Sequence, residues 1–369
     1  MMCSMVRPTW IALVGLACAL VGAARGGAIA LPRLPSQTPS PCGPAGPTLA
    51  TAAANHRLWI GTAVNHNALD RDPQYRHCLA QEFNLVTAEN AMKLHRLQPR
   101  PHEFDFTQAD RLMAFAAEHQ LAVRGHTLVW HEALPDWLND GDWTRDQLIA
   151  LLEHHIKTLV GRYRGQIVAW DVVNEAIADD GTLRDSFWLR GIGPDYIAMA
   201  FRWAHEADPS AQLFYNDYGG EGLNPKADAI YKLVRSLQAE GVPIHGVGLQ
   251  MHVVASAAPR PPEVAANMAR LADLGLAVQI TEMDVRTYLP ATAAAVEQQA
   301  QIYAAMLQTC LQAPNCDTFV TWGFTDRYSW VPRHFEGWGE ALPLDRDYRA
   351  KPAYHRLLAT LTSWATTAP

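Results

Sequence analysis

Eight short runs rich in β-branched and aromatic residues recur along the chain, at 59–65, 85–90, 122–130, 167–175, 212–217, 246–252, 277–284 and 317–324. Between them lie stretches whose apolar residues repeat with a period near 3.6, among them 107–120, 144–164, 225–240, 262–274 and 292–311, with a last one at 352–364. A strand buried on both faces reads as a nearly continuous apolar run, and neighbouring parallel strands need a crossover helix between them. Strand then helix, eight times over, with Gly241 and Gly275 just past helix ends, predicts an α/β fold: a (β/α)8 TIM barrel spanning 49–369 as a single domain. No change of composition marks a second domain.

The loops at the carboxyl ends of barrel strands surround one mouth, so the residues that close each run decide what the mouth can do. The runs close on Asn65, on Glu89 and Asn90, on His126 and Trp130, and on Asn174 and Glu175. The later ones close on Asn216 and Asp217, on Gln250 and His252, on Glu282 and Asp284, and on Trp322. Helix capping explains Asn and Asp, but not Glu, Gln, His and Trp recurring at the ends of apolar strands. Glu175 and Glu282 end the fourth and seventh runs, on opposite sides of the mouth, where two carboxylates face each other across a substrate. That pair suits glycoside hydrolysis, in which a protonated carboxyl gives its proton to the leaving oxygen and an ionised one attacks the anomeric carbon. Asn174 is suited to a sugar 2-hydroxyl. His252 is expected to hydrogen-bond Glu282, and Asp284, on the same strand face, to orient the His252 imidazole. Twelve Trp supply flat faces for sugar rings.

Other chemistries find little support. Thirty Lys+Arg against 37 Asp+Glu, a net charge of −7, argue against a phosphate-binding surface, so no nucleic-acid partner is expected. G-x-S-x-G, H-E-x-x-H and Walker motifs are missing, and Gly191-Ile192-Gly193 runs into Pro194. Neither a metal nor any other cofactor is expected. His205-Glu206 and Glu153-His154-His155 read as solvated helix surface. Before the barrel, Arg7, an uncharged run over 10–22 and Ala28-Ile29-Ala30 read as a secretory signal at 1–30, with an uncleaved anchor as the alternative. Residues 31–48 read as a Pro/Ser-rich linker. The expected location is secreted, extracellular or periplasmic, with no membrane contact after cleavage. Export permits disulfides, and Cys310 and Cys316, flanking a short turn, are the best candidate pair, whereas Cys42 and Cys78 are left unassigned.

Three segments carry a family resemblance: RGHTLVWH from Arg124 to His131, WDVVNE from Trp170 to Glu175, and ITEMD from Ile280 to Asp284. With TAENAMK from Thr87 to Lys93, GLQMH from Gly248 to His252, and TWG from Thr321 followed by Ser329-Trp330, the chain resembles glycoside hydrolase family 10, the endo-1,4-β-xylanases, from about Asn55 onward. The resemblance implies a retaining mechanism with Glu175 as general acid/base and Glu282 as nucleophile. It implies that Glu89, Asn90 and Lys93 hold a glycone sugar, while His126, Trp130, Asn174, Gln250, His252 and Trp322 surround the sugar under attack. Tyr218 with Asn216 meets the leaving group, Trp330 joins the substrate-binding set, and a Cys310–Cys316 disulfide is common. The implied partners are xylan or xylo-oligosaccharides, acted on by a monomer. The other functions considered are a related barrel hydrolase acting on another β-glucan or an aryl cellobioside, and a non-catalytic carbohydrate-binding barrel, which should lack one of the two Glu residues. Where the family commonly carries Gln, position 133 is Ala, next to Glu132. The missing side chain predicts greater tolerance of a hexose or a decorated xylose, unless Glu132 or Trp330 covers the gap.

Overall fold

The computed structural model describes residues 42–43 and 46–364, so the expected signal segment and most of the expected linker lie outside the described residues. The barrel strands are β1 Trp59–Val64, β2 Leu85–Ala88, β3 Ala122–Val129, β4 Ala169–Asn174, β5 Gln212–Asp217, β6 Gly246–Leu249, β7 Ala277–Tyr288 and β8 Cys316–Thr321. Each pairs in parallel with the next, and β8 returns to β1 through Trp59↔Thr318 and Gly61↔Val320, closing the ring. Following the strands in turn come α1 Pro73–Glu82, α2 Thr107–Glu118, α3 Arg145–Arg162, α4 Tyr196–Ala207, α5 Pro225–Ala239, α6 Pro261–Ala272, α7 Ala293–Gln312 and α8 Pro352–Trp364. The predicted α/β barrel is therefore the observed one.

Local sequence sets the helix starts. Asp72 accepts from the amides of Gln74 and Tyr75 ahead of Pro73, Thr144 and Gln147 form a reciprocal capping box, and Asn224 caps α5 just before Pro225. The ring of helices buries the outer faces of strands such as β4, where Trp170 is fully buried. Trp170 lies against Gly125 of β3, where a Cβ would come within 2.1 Å of the indole.

Three features depart from, or add to, the sequence reading. Strand β7 runs past Asp284 to Tyr288, because beyond the barrel it is flanked by the short strand His252–Val254 in parallel and by Trp338–Gly339 in antiparallel register. His155 is not solvated helix surface: it is fully buried on the inner face of α3, with Nδ1 3.0 Å from Gln98 Oε1. Burial lowers its pKa to about 4, so it is a neutral core histidine. Its neighbours on α3 do reach solvent, Glu153 bonding Lys157 at 2.7 Å, and Lys157 also pairing with Glu206 of α4 at 2.8 Å. Finally, Cys310 pairs with Cys316 and Cys42 pairs with Cys78, the second bond fastening the start of the described chain to α1.

Candidate active site

A cavity of about 660 Å³ opens at the carboxyl ends of the strands, with Glu175 from β4 and Glu282 from β7 both in its wall. The backbone at Glu175 is left-handed, φ 59°, a conformation that costs a non-glycine residue free energy and that the surroundings must impose. Its amide bonds Asn216 O at 2.9 Å and its carbonyl accepts from Arg184 Nε at 2.8 Å, so the chain is pinned on both sides of the side chain.

Each carboxylate has its own set of donors. Glu175 Oε2 accepts from the Trp130 indole at 2.9 Å, and Oε1 from Gln250 Nε2 at 2.9 Å and Asn174 Nδ2 at 3.0 Å. Glu282 Oε1 accepts from Asn216 Nδ2 at 2.7 Å, and Oε2 lies 3.2 Å from His252 Nε2. Asn216 also donates to Asn174 Oδ1 at 2.8 Å and accepts from Thr281 Oγ1 at 2.6 Å, so one amide ties the two strand ends together. The reach of that amide requires Gly248 on β6, where a Cβ would come within 2.1 Å of Asn216 Oδ1.

Charge acts on Glu282 as well. Burial by itself raises Glu282, but the His126 imidazole 3.7 Å from Oε1 and the bonded His252 outweigh it and hold the carboxyl below its ordinary pKa. Burial disfavours a charged His252, yet the Asp284 carboxylate 2.9 Å from Nδ1, together with Glu282, raises it to about 10, leaving an imidazolium that donates from both nitrogens. Asp284 Oδ2 accepts the Trp330 indole as well, at 2.7 Å. Beneath them, His126 Nδ1 lies 3.0 Å from Asp171 Oδ2, and Asp171 is paired with the fully buried Arg124, which also donates to Gln279. Beside Glu175, burial pushes Asp217 up to about 7 in spite of Lys226 Nζ at 3.1 Å and the Tyr215 hydroxyl at 2.5 Å.

Of the residues expected at the site, Glu89, Asn90, Lys93, His126, Trp130, Asn174, Tyr218, Gln250, His252, Trp322 and Trp330 line the same cavity as the two Glu residues. Lys93 is buried, with Nζ 4.6 Å from the Trp130 ring centre and 5.9 Å from that of Trp322; burial lowers its pKa against the pull of Glu282 and Glu89. Asn65 Nδ2 holds Glu89 at 2.9 Å. Tyr218 lies over Lys226 Nζ at 3.5 Å, its hydroxyl accepting from Arg184 at 3.1 Å. Two expected residues stand behind the wall. Asp284 is fully buried, as suits an orienting group, and Asn216 sits beneath Glu282 rather than against the leaving-group space. Glu132, weighed in the sequence as a cover for Ala133, also lines the cavity, and so do Arg286, Tyr328, Arg333, His334 and Phe335, which were not expected there; nor was the Arg124–Asp171 pair below it. A local signal existed for most of them: Arg124 and Asp171 interrupt apolar strand runs, and 327–335 is dense in aromatic and basic residues, whereas nothing local marks Arg286.

A parallel barrel with two differently wired carboxylates facing an aromatic-walled cleft defines a glycoside hydrolase. Residues 48–360 match the family model of glycosyl hydrolase family 10. Endo-1,4-beta-xylanase B of Thermotoga neapolitana is 41% identical over 309 residues, covering 83% of this chain and 89% of its own. Endo-1,4-beta-xylanase D of Talaromyces funiculosus is 42% identical over 312 residues, covering 85% and 77%. The crystal structure of xylanase 10B from Thermotoga petrophila RKU-1 in complex with xylobiose superposes with a TM-score of 0.85 at 41% identity, over 87% of this chain and 98% of that one. The chain belongs to glycosyl hydrolase family 10.

Proposed function

We propose that this glycoside hydrolase is a secreted endo-1,4-β-xylanase that cleaves internal bonds of xylan with retention of configuration, working as a monomer with Glu282 as nucleophile and Glu175 as acid/base. The observation that carries the reading is the unequal wiring of the two carboxyls. Glu282 receives the His252 imidazolium and the Asn216 amide, which favour the anion that attacks the anomeric carbon. Glu175 receives one neutral indole and two neutral amides, and presents a carboxyl that gives its proton to the departing oxygen. Departure of the aglycone leaves an ester between Glu282 and the sugar. Glu175, now ionised, takes a proton from water, which attacks the same carbon and releases Glu282.

Asn174 is available to a substrate 2-hydroxyl. Glu89, Asn90 and Lys93 form a polar floor beside the Trp130 and Trp322 rings, suited to the hydroxyls and faces of a bound glycone. Asn216 and Asp284 act as positioning groups, through Glu282 and His252. The two disulfides and the apolar segment at 10–22 support export, since such bonds persist in oxidising compartments. The test is hydrolysis of linear xylan and of carboxymethylcellulose by the purified protein. The reading expects mixed short xylo-oligosaccharides early in the reaction and a far lower rate on the cellulose derivative. Release of xylose alone, or faster cleavage of the glucan, overturns it.

A further inference from the structure

Two guanidiniums border the catalytic cavity without a counterion. Arg286, on the part of β7 beyond Asp284, is half-buried, with Cζ 4.0 Å over the Phe335 ring. Among the described residues, no hydrogen bond or ion pair engages its N–H groups. The carboxylate whose field reaches it, Asp284, is already bonded to His252 at 2.9 Å and to the Trp330 indole at 2.7 Å. Arg333, exposed on the one-turn helix Val331–His334, also carries no hydrogen bond or ion pair among the described residues, and its charge reaches Glu89. Neither guanidinium is paired with any of the carboxylates that line the cavity.

Partial burial of a guanidinium is unfavourable unless hydrogen bonds replace its water, and burial pushes Arg286 below its ordinary pKa. The wall that holds it is rigid nonetheless. Val254 pairs with Arg286 on one side, Thr287 pairs with Gly339 on the other, and the Thr287 hydroxyl bonds Gly339 O at 3.2 Å. A guanidinium offers a planar fork of donors that matches a carboxylate, and stacking over Phe335 leaves those in-plane donors unspent. The chain as a whole is anionic, at −7, so a cationic stretch of the cavity wall is a local feature that general surface charge does not produce.

We infer that Arg286 and Arg333 form a subsite for a carboxylate carried on the substrate, a uronic-acid branch of the xylan backbone. The inference rests on the xylanase reading and names the decoration that its cavity selects.

The experiment compares three oligosaccharides of one backbone length: one bearing a uronic-acid branch, the same compound with the carboxyl reduced to the alcohol, and the unbranched chain. For the native enzyme, kcat/KM on the acidic compound should exceed that on its reduced form roughly tenfold at low ionic strength, and high salt should shrink the ratio. Arg286→Met and Arg333→Met, which keep the apolar stems, should each bring the ratio toward one. Equal rates on the acidic and reduced compounds by the native enzyme, or a ratio that both variants retain, overturn the subsite. Failure to cut the unbranched chain counts against the xylanase reading instead. The subsite is then judged by calorimetry: tighter binding of the acidic oligosaccharide than of its reduced form supports it, and equal affinity overturns it.

Discussion

His252 stands with Nε2 3.2 Å from Glu282 Oε2, and Asp284 holds its other nitrogen at 2.9 Å. The imidazolium is thus both a donor to Glu282 and a charge beside it. His252→Ala removes one of the two histidines that keep Glu282 below its ordinary pKa, so that pKa rises and the acidic limb of the kcat/KM profile moves to higher pH. Asp284→Asn weakens the same charge and should move the limb in the same direction by less. An unmoved limb in His252→Ala removes the residue from this role.

The same pair sets a pH dependence of stability. His252 is raised to about 10, so its contribution is full below about 6.5, the ordinary value for an unfolded chain, and is lost as pH climbs toward 10. Glu282 is lowered, so its contribution is present above the unfolded value of about 4.3 and is lost as pH falls through the folded one. Chemical denaturation of His252→Ala and the native protein across pH 6 to 10 should show their stability difference narrowing as pH rises. A difference that widens with pH contradicts the assignment.

Arg124 and Asp171 are both fully buried beneath the cavity, and Asp171 also orients His126. Removing one member leaves an uncompensated charge in the barrel, a loss of about 3–5 kcal/mol. Arg124→Met should show that loss in denaturant unfolding, together with reduced turnover from the displaced His126. A change below about 1 kcal/mol means that the barrel relaxes around the vacancy and that the pair is not a structural requirement.

Ala133 lines the cavity beside Glu132. Trp330 is tied to Asp284, its indole nitrogen at 2.7 Å, with its ring 5.0 Å from that of His252. With no longer side chain at Ala133, the expectation is room there for the hydroxymethyl of a hexose. Ala133→Gln should therefore lower kcat/KM on an aryl cellobioside relative to an aryl xylobioside by roughly tenfold, the discrimination available from one group of that size. The φ of 54° at this position taxes any side chain, so the ratio of the two substrates, and not the absolute rate, is the measurement. An unaltered ratio assigns the space to Glu132.

The barrel and most of its mouth were legible in the sequence because both rest on local patterns. Apolar runs of strand length end on residues that no cap explains, and the ends of consecutive strands must meet. Features fixed by tertiary pairing were not legible. The extension of β7 to Tyr288 depends on neighbours at His252–Val254 and Trp338–Gly339, and only there does Arg286 reach the cavity wall. His155 carries a polar side chain on a helix and reads as surface, until Gln98, far away in sequence, supplies a partner in the core. Asn216 ends its strand as its neighbours do, but Gly248 beside it lets the amide drop beneath Glu282 instead of facing the cleft.

If Glu175 delivers a proton that only poor leaving groups need, its loss is selective. Glu175→Ala should slow xylan cleavage by about 10²–10⁴-fold while sparing the first step on aryl glycosides with acidic phenols. Glu282→Ala should lower both to background. Equal losses on the two substrates in Glu175→Ala contradict the division of labour.

The retaining assignment requires that Glu282 attack the sugar directly and that water then arrive on the opposite face, the one vacated by the leaving group. Proton NMR of the first products of xylohexaose hydrolysis, recorded before mutarotation, reads the anomer formed at the cleaved bond. Double displacement yields the β-anomer first; initial formation of the α-anomer would mean a single displacement by water and would rule out Glu282 as nucleophile.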